Sequence, residues 1–160
     1  MTLSQILNYL AIWSLIGAAV FSLIVIYLFR SGRVYDSRTE EGHLQERMSL
    51  KGLLTMLSFL VLIVVFITFT NYLSLISQGI DLEFLPLFGL NLALIFILIV
   101  YDSAVIDWLV IGHWRPSFLH LPEAMDKGQM AEHIRRTFFA GPIFALLLAA
   151  LSAGATTLIW

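Results

Sequence analysis

Two carboxylates, Asp102 and Asp107, stand inside an otherwise uncharged apolar stretch that runs from Phe84 to Gly112. A charge near the centre of a bilayer costs a few kcal/mol or more, so carboxylates placed there are candidates for function. Asp107 lies close to the end of the stretch and is expected at the membrane interface. Asp102 lies roughly 7–8 Å deeper at about 1.5 Å per residue. It is therefore the stronger candidate for binding or moving a proton or an ion.

Helical geometry separates the two carboxylates and aligns Asp102 with other polar residues. Five residues at about 100° each place Asp102 and Asp107 roughly 140° apart, so they are not expected to form a carboxylate pair. Asn91, Asp102 and His113 follow one another at intervals of eleven residues. That interval returns to within about 20° of one helix face. The sequence thus predicts a polar track through the third apolar stretch.

A purely structural role is the alternative for both carboxylates. Asp107 would then pair with Arg115 or Arg136. Asp102 would pair inside a helix bundle, and its candidate partners are Ser22, Thr55, Ser58 and Arg135.

The four histidines, at positions 43, 113, 120 and 133, fall outside the apolar stretches. A chain with no intramembrane histidine is a poor candidate for b-type haem, and the spacings match no metal-binding pattern. We therefore predict no metal and no cofactor, and a bound lipid is the one ligand left open. The chain has no cysteine, no Ser-His-Asp arrangement and no Gly-rich phosphate loop. No sequence motif supports an enzymatic function.

The composition indicates where such a chain resides. Hydrophobic residues make up 59% of the sequence, charged residues 12%, and the mean hydropathy is +0.90. Soluble domains carry about 45–50% apolar and about 25% charged residues, so the chain is predicted to be an integral membrane protein. Its net charge of −2 supplies no basic field for nucleic acid.

Four segments are long enough to cross a bilayer, which takes about 20 apolar helical residues. Their continuity does not fit the alternating pattern of a membrane β-barrel. We predict an all-α integral membrane four-helix bundle that forms one transmembrane domain over residues 1–160. The predicted spans are Ile6–Phe29, Gly52–Ile76, Phe84–Gly112 and Thr137–Trp160.

The distribution of positive charge predicts the orientation of this bundle. All nine Lys and Arg residues lie in the two segments 30–51 and 115–136. The positive-inside rule makes these segments two cytoplasmic loops and places both termini outside, with one short outer loop at Ser77–Glu83. The predicted location is a bacterial cytoplasmic (inner) membrane, with multiple passes.

Small residues in the fourth span predict a packing face. Gly141, Ala145, Ala149 and Ala153 recur every four residues, and small residues let membrane helices approach closely. The neighbour is either another helix of the chain or another subunit. The large side chains of the second span are expected to face lipid or a hydrophobic partner.

Aromatic residues cluster near the expected interfaces. Tyr9, Tyr72 and Trp108 fit aromatic belts, whereas Trp13 and Tyr101 lie deepest and are candidates to contact a bound lipid, quinone or pigment. An interfacial segment is predicted after the third span, with Trp114 as its anchor. Its residues are Trp114, Arg115, Phe118 and His120.

This region carries a resemblance to a known group of proteins. Asp107-Trp108-Leu109, then Trp114-Arg115-Pro116-x-Phe118, then Leu121-Pro122 resembles a segment of small uncharacterised bacterial four-helix integral membrane proteins. Glu123-Ala124 departs from that pattern, which has a Gly-containing stretch here. The resemblance implies the fold and the membrane location and no activity.

Three functions follow as hypotheses. The first is an accessory or structural subunit of a larger membrane assembly, whose partners are membrane lipids and other membrane subunits or further copies of itself. The second is a homo-oligomeric channel or transporter that uses Asp102. The third is a membrane enzyme that acts on a lipid or hydrophobic substrate at the cytoplasmic face through residues 107–122.

Overall fold

The computed structural model describes residues 1–30, 50–80, 83–117 and 127–159, and these residues are almost entirely helical. Their α-helices are α1 (Leu3–Arg30), α2 (Leu50–Ser74), α3 (Phe84–Tyr101) and α4 (Lys127–Ile159). A 3₁₀ turn, Ile76–Gln78, follows α2. A π-helix of 13 residues, Asp102–Trp114, continues α3 without a break.

Four helical segments are long and apolar enough to cross a membrane, which confirms this part of the sequence prediction. They are Leu3–Leu28, Leu53–Gln78, Phe84–Trp114 and Phe139–Ile159. The predicted fourth span, Thr137–Trp160, agrees closely with the apolar segment Phe139–Ile159. The α4 helix is longer than this span and includes the residues from Lys127 onward. These earlier residues include Met, Gln, Glu and Arg, which are strong helix formers but too polar to count toward an apolar span.

The closest helix packing joins α1 to α3, α3 to α4, and α4 to α2. The α1 and α2 helices approach each other less closely and meet through side chains. Buried apolar residues from all four helices fill the centre of this arrangement: Tyr9, Ile67, Leu75, Leu87, Leu90, Leu94, Ile95, Ala145, Leu148, Ala149 and Ala153.

Small residues set the close approaches to α3. Ala145, Ala149 and Ala153 are at most 1% exposed. A Cβ atom on Gly141 would lie 3.2 Å from Cγ2 of Ile99, and one on Gly17 would lie 3.0 Å from Cδ2 of Leu98. The small-residue face of α4 therefore packs within this chain's own bundle.

The outward faces of the helices are apolar. Leu15 on α1, Val61 on α2 and Ile143 on α4 are 74%, 61% and 70% exposed. Side chains of this size are not left in water over the whole circumference of a small soluble protein. Such a surface suits a surrounding of lipid tails.

The π-helix changes how residues are arranged after Asp102. Its hydrogen bonds join residues five apart, so each turn takes up about one residue more than in an α-helix. It ends at Arg115, which has φ 46° and ψ 56° and donates its N–H to the carbonyl of Val110 at 2.8 Å. Pro116 follows, and a residue that precedes proline disfavours the right-handed α conformation.

Candidate functional site

A cavity of about 460 Å³ lies between α1 and α2, and residues of α3 and α4 complete its wall. Among the described residues of this wall, Asp102 is the one with a polar side chain. Five phenylalanines contribute to the wall from α1, α2 and α4: Phe21, Phe59, Phe66, Phe69 and Phe144.

The cavity exists because large rings hold α1 and α2 apart. The ring centroids of Phe21 and Phe59 are 5.6 Å apart, and those of Trp13 and Phe66 are 6.2 Å apart in an edge-to-face arrangement. On its other side, α1 is drawn against α3 at Gly17. The space left between α1 and α2 is lined by aliphatic side chains such as Ile63 and Leu98.

The cavity reaches the surface of the bundle. Val20 and Leu62 line it from α1 and α2, and they are 39% and 52% exposed. Val65 and Phe69, further along α2, line it as well and are 57% and 54% exposed. The cavity thus opens sideways between α1 and α2, toward the face that lipid would cover.

A buried polar cluster closes one end of the α1–α2 seam, the line along which these two helices face each other. We call this end, where α1 begins and α2 ends, the outer end, and the opposite end the inner end. The hydroxyl of Tyr9 donates to Oδ1 of Asn71 at 2.7 Å and lies 3.0 Å from Oγ1 of Thr70. Nδ2 of Asn71 donates to Oγ1 of Thr156 at 3.0 Å. Beside them, Nε1 of Trp13 donates to Oγ of Ser74. The cluster therefore ties α1 and α4 to the last turns of α2.

Sequence reasoning missed this cluster. Tyr9 was predicted to lie in an aromatic belt, and that prediction is wrong because only 4% of Tyr9 is exposed. Asn71 and Thr70 are fully buried. The available signal was the polar pair Thr70-Asn71 near the end of an apolar run, together with Tyr9 and Trp13 one turn apart.

The polar cluster separates the apolar cavity from a second one. A cavity of about 400 Å³ lies beyond the cluster, and its wall includes Gln5, Asn8 and Gln78 as well as Tyr9 and Trp13. The apolar cavity begins one turn further in, at Gly17. The two spaces differ in chemistry, since the outer one has amides and hydroxyls beside apolar side chains, whereas the described wall of the inner one is hydrocarbon apart from Asp102.

Asp102 and Asp107 occupy different environments. Asp102 is half-buried at the wall of the apolar cavity, whereas Asp107 is only 7% exposed and lies outside that wall. Both take part in interactions within the protein. Asp107 is thus buried among its neighbours, and its position at the membrane interface stays a prediction.

The predicted polar track does not continue past Asp102. Eleven residues return to the same face only in an α-helix, and the helix between Asp102 and His113 is a π-helix. His113 is exposed, its Nδ1 lies 2.8 Å from the carbonyl oxygen of Trp108, and its ring lies 4.5 Å from the Trp108 ring. The angle of 140° between Asp102 and Asp107 is wrong for the same reason, because five residues make about one turn here.

Asn91 lies in the core and does not line the apolar cavity. It is fully buried, and neither its Nδ2 nor its Oδ1 has a hydrogen-bond partner. The hydroxyls of Thr68 and Ser152 are likewise buried without a partner. Because they are buried without hydrogen-bond partners, these polar atoms lower the stability of the outer half of the bundle.

The predicted interfacial segment falls partly within the described residues. Trp114 is 67% exposed, and Nη1 of Arg115 donates to the carbonyl of Ile111 at 3.3 Å. The other two members, Phe118 and His120, lie outside the described residues. In the part of the chain that the structure describes, no three His, Asp or Glu residues are grouped closely enough to hold a metal ion.

No protein family model, no curated protein and no solved structure matches this chain. The resemblance to small bacterial four-helix membrane proteins stays a prediction from sequence. Any account of function therefore depends on the geometry of the bundle itself.

Proposed function

We propose that this chain is a four-span membrane protein that holds a hydrophobic molecule in the cavity between α1 and α2. The observation that carries the proposal is the cavity itself. Its volume of about 460 Å³ falls within the range of roughly 300–1,000 Å³ that small-molecule sites occupy. Its wall is almost wholly hydrocarbon and comes from all four helices.

Energetics favour an occupied cavity. Atoms that line an empty apolar space lose dispersion contacts on that side, and the cost rises with the volume left empty. Because the cavity opens toward lipid, an apolar molecule can enter from the membrane and remove most of this cost.

The orientation of the bundle is part of the proposal. All nine Lys and Arg residues lie between spans one and two or between spans three and four. This distribution favours both termini outside and both basic segments in the cytoplasm. Asp102 then lies in the cytoplasmic half of the membrane, and the polar cluster around Asn71 lies in the outer half. A bacterial inner membrane is the location we propose.

Assembly with other membrane proteins stays a prediction from sequence. The apolar outer face of α2, including Val61, is equally suited to lipid and to a partner helix. A transporter that uses Asp102 would employ the same cavity, so it extends the proposal and does not replace it.

Photolabelling tests the proposal in lipid nanodiscs. An uncharged alkyl diazirine is expected to label cavity residues such as Ile63 and Phe66 in a saturable way, with unlabelled alkane as competitor. The variant Val20→Trp places an indole at the cavity wall and should abolish the saturable labelling. The matched control is Leu23→Trp on the same helix, because Leu23 is 67% exposed and does not line the cavity.

The pattern of labelling decides the outcome. Saturable labelling that Val20→Trp removes and Leu23→Trp leaves intact would support a binding cavity. Labelling that is unsaturable and equally strong at Leu15, on the outer face of α1, would show that the probe only reports contact with lipid. The proposal would then be wrong.

A further inference from the structure

We infer that the cavity's occupant is an amphiphile with a cationic amine head, its ammonium group at Asp102 and its apolar part directed toward the outer half of the bundle. The inference rests on the proposed function, since it names the chemical class of the molecule held there. Two features of the cavity support it: the position of Asp102 and the apolar character of the rest of the wall.

Asp102 lies at the inner end of the cavity. The hydroxyl of Ser22 donates to the carbonyl of Ala18, so the hydroxyl of the neighbouring Tyr101 is the donor in the 2.8 Å bond to Ser22. This bond fixes Tyr101, and therefore Asp102, at the level of Ser22 on α1. The Phe21–Phe59 ring pair lies at the same level. The remainder of the wall on α2 extends from there to Phe69.

The cavity is long enough for an alkyl chain. The ten steps from Phe59 to Phe69 along α2 cover roughly 15 Å at about 1.5 Å per residue. Over that length the described wall is hydrocarbon apart from Asp102. The ligand is therefore apolar along α2 and has its polar end at Asp102.

The wall favours a cation at that polar end. A carboxylate attracts an ammonium group and repels an anionic head, and the attraction is stronger in a low-dielectric surrounding. Phenyl rings bind cations through their faces, and Phe21 and Phe59 stand at the level of Asp102. Asp102 also interacts within the protein, but a carboxylate accepts up to about four hydrogen bonds. An ammonium group can therefore share it with a protein partner.

Competition against the photoreactive probe tests the head group. Dodecylamine, dodecanol and dodecanoate share one chain and differ only in the head, and each is compared on the wild type and on Asp102→Asn. Hydrogen bonds to charged groups contribute about 1.5–3 kcal/mol, so Asp102→Asn should weaken competition by dodecylamine about ten- to hundredfold. Competition by dodecanol should stay within about twofold, which also shows that the variant is folded.

Two further variants complete the design. Asp102→Glu keeps the carboxylate and should restore most of the competition by dodecylamine. Glu83→Gln removes an exposed carboxylate that lies outside the apolar cavity, and it should behave as the wild type.

The outcomes separate the inference from the proposed function. If dodecanol competes as well as dodecylamine on the wild type, or if Asp102→Asn affects both equally, the cationic head is wrong while the cavity still binds a hydrophobic molecule. If dodecanoate competes at a lower concentration than dodecylamine, the cavity prefers an anionic head group, and the inference is overturned. If none of the three compounds competes, the proposed function fails as well.

Discussion

The two ends of the α1–α2 seam are built on opposite principles. At the outer end, Tyr9 and Trp13 donate hydrogen bonds to Asn71 and Ser74, and the helices are tied together. Further in, the rings of Phe21 and Phe59 meet with centroids 5.6 Å apart and the helices stay apart around an apolar space. Hydrogen bonds hold the two helices together at the outer end. Further in, the contact between the two rings involves no hydrogen bond and leaves a space that can admit a ligand.

The difference shows how a small bundle reconciles stability with an open cavity. In a membrane there is little hydrophobic gain from bringing helices together, so hydrogen bonds and close packing hold them. The outer cluster supplies the hydrogen bonds, and Gly17 and Gly141 supply close packing against α3. The inner half of the seam is then free to remain open. Three pairs of substitutions test this division, in order of decreasing expected effect.

Asn71→Ala should weaken the bundle most. It removes the acceptor of Tyr9 and the donor to Thr156, and interhelical bonds in membranes contribute about 0.6–1.7 kcal/mol each. We expect a loss of about 2–3 kcal/mol in the free energy of unfolding, measured by SDS titration in mixed micelles. The control is Thr157→Val, because Thr157 is exposed and bonds only to the carbonyl of Gly154 in its own helix. Equal effects of the two variants would contradict a closing role for the cluster.

Gly17→Ala should have an intermediate effect. The added Cβ would meet the side chain of Leu98 at 3.0 Å. Overpacking a core costs about 1–3 kcal/mol, and the higher helix propensity of Ala offsets up to about 1 kcal/mol of that cost. We therefore expect a net loss of up to about 2 kcal/mol in the free energy of unfolding. The substitution should also push α1 away from α3 toward α2 and reduce saturable labelling of the cavity. Gly89→Ala is the matched control, since a Cβ there has nothing within 4 Å. In a helix this change gains up to about 1 kcal/mol. Destabilisation by Gly89→Ala as large as that by Gly17→Ala would refute the close approach.

Tyrosine hydroxyls offer the smallest and most direct comparison of the two ends. Tyr9→Phe removes a buried hydroxyl that contacts both Asn71 and Thr70, whereas Tyr101→Phe removes one half-buried bond to Ser22. We expect a loss of about 1–1.5 kcal/mol for Tyr9→Phe and about 0.5 kcal/mol for Tyr101→Phe, both by the same titration. A larger loss for Tyr101→Phe would reverse the assignment of the closed and open ends.

The sequence predicts the helices well because continuous apolar runs leave few alternatives in a membrane. It does not predict the π-helix, since bonds between residues five apart leave no mark on a pattern that is apolar throughout. The angle between Asp102 and Asp107 and the alignment of Asp102 with His113 depend on that local geometry, so both were predicted wrongly. The prediction for Tyr9 failed for a similar reason. An aromatic residue near the end of a helix is typical of an aromatic belt, and the sequence does not show that a residue on another helix binds and buries it.

The cavity is the feature that the sequence predicts least. It depends on the distance between two helices, and that distance is set by how Phe21 meets Phe59 and how closely Gly17 approaches α3. None of these contacts is local in the chain. Asp102 could be singled out from sequence as a costly intramembrane charge, but the apolar space beside it could not.

Native mass spectrometry of the protein released from nanodiscs of its host membrane lipids tests the central claim most directly. We predict that the wild type and Leu23→Trp each retain one small hydrophobic molecule and that Val20→Trp retains none. The mass of the complex also shows whether other protein subunits accompany the chain. Release of all three folded variants without a bound molecule, or equal retention by all three, would contradict a binding cavity between α1 and α2.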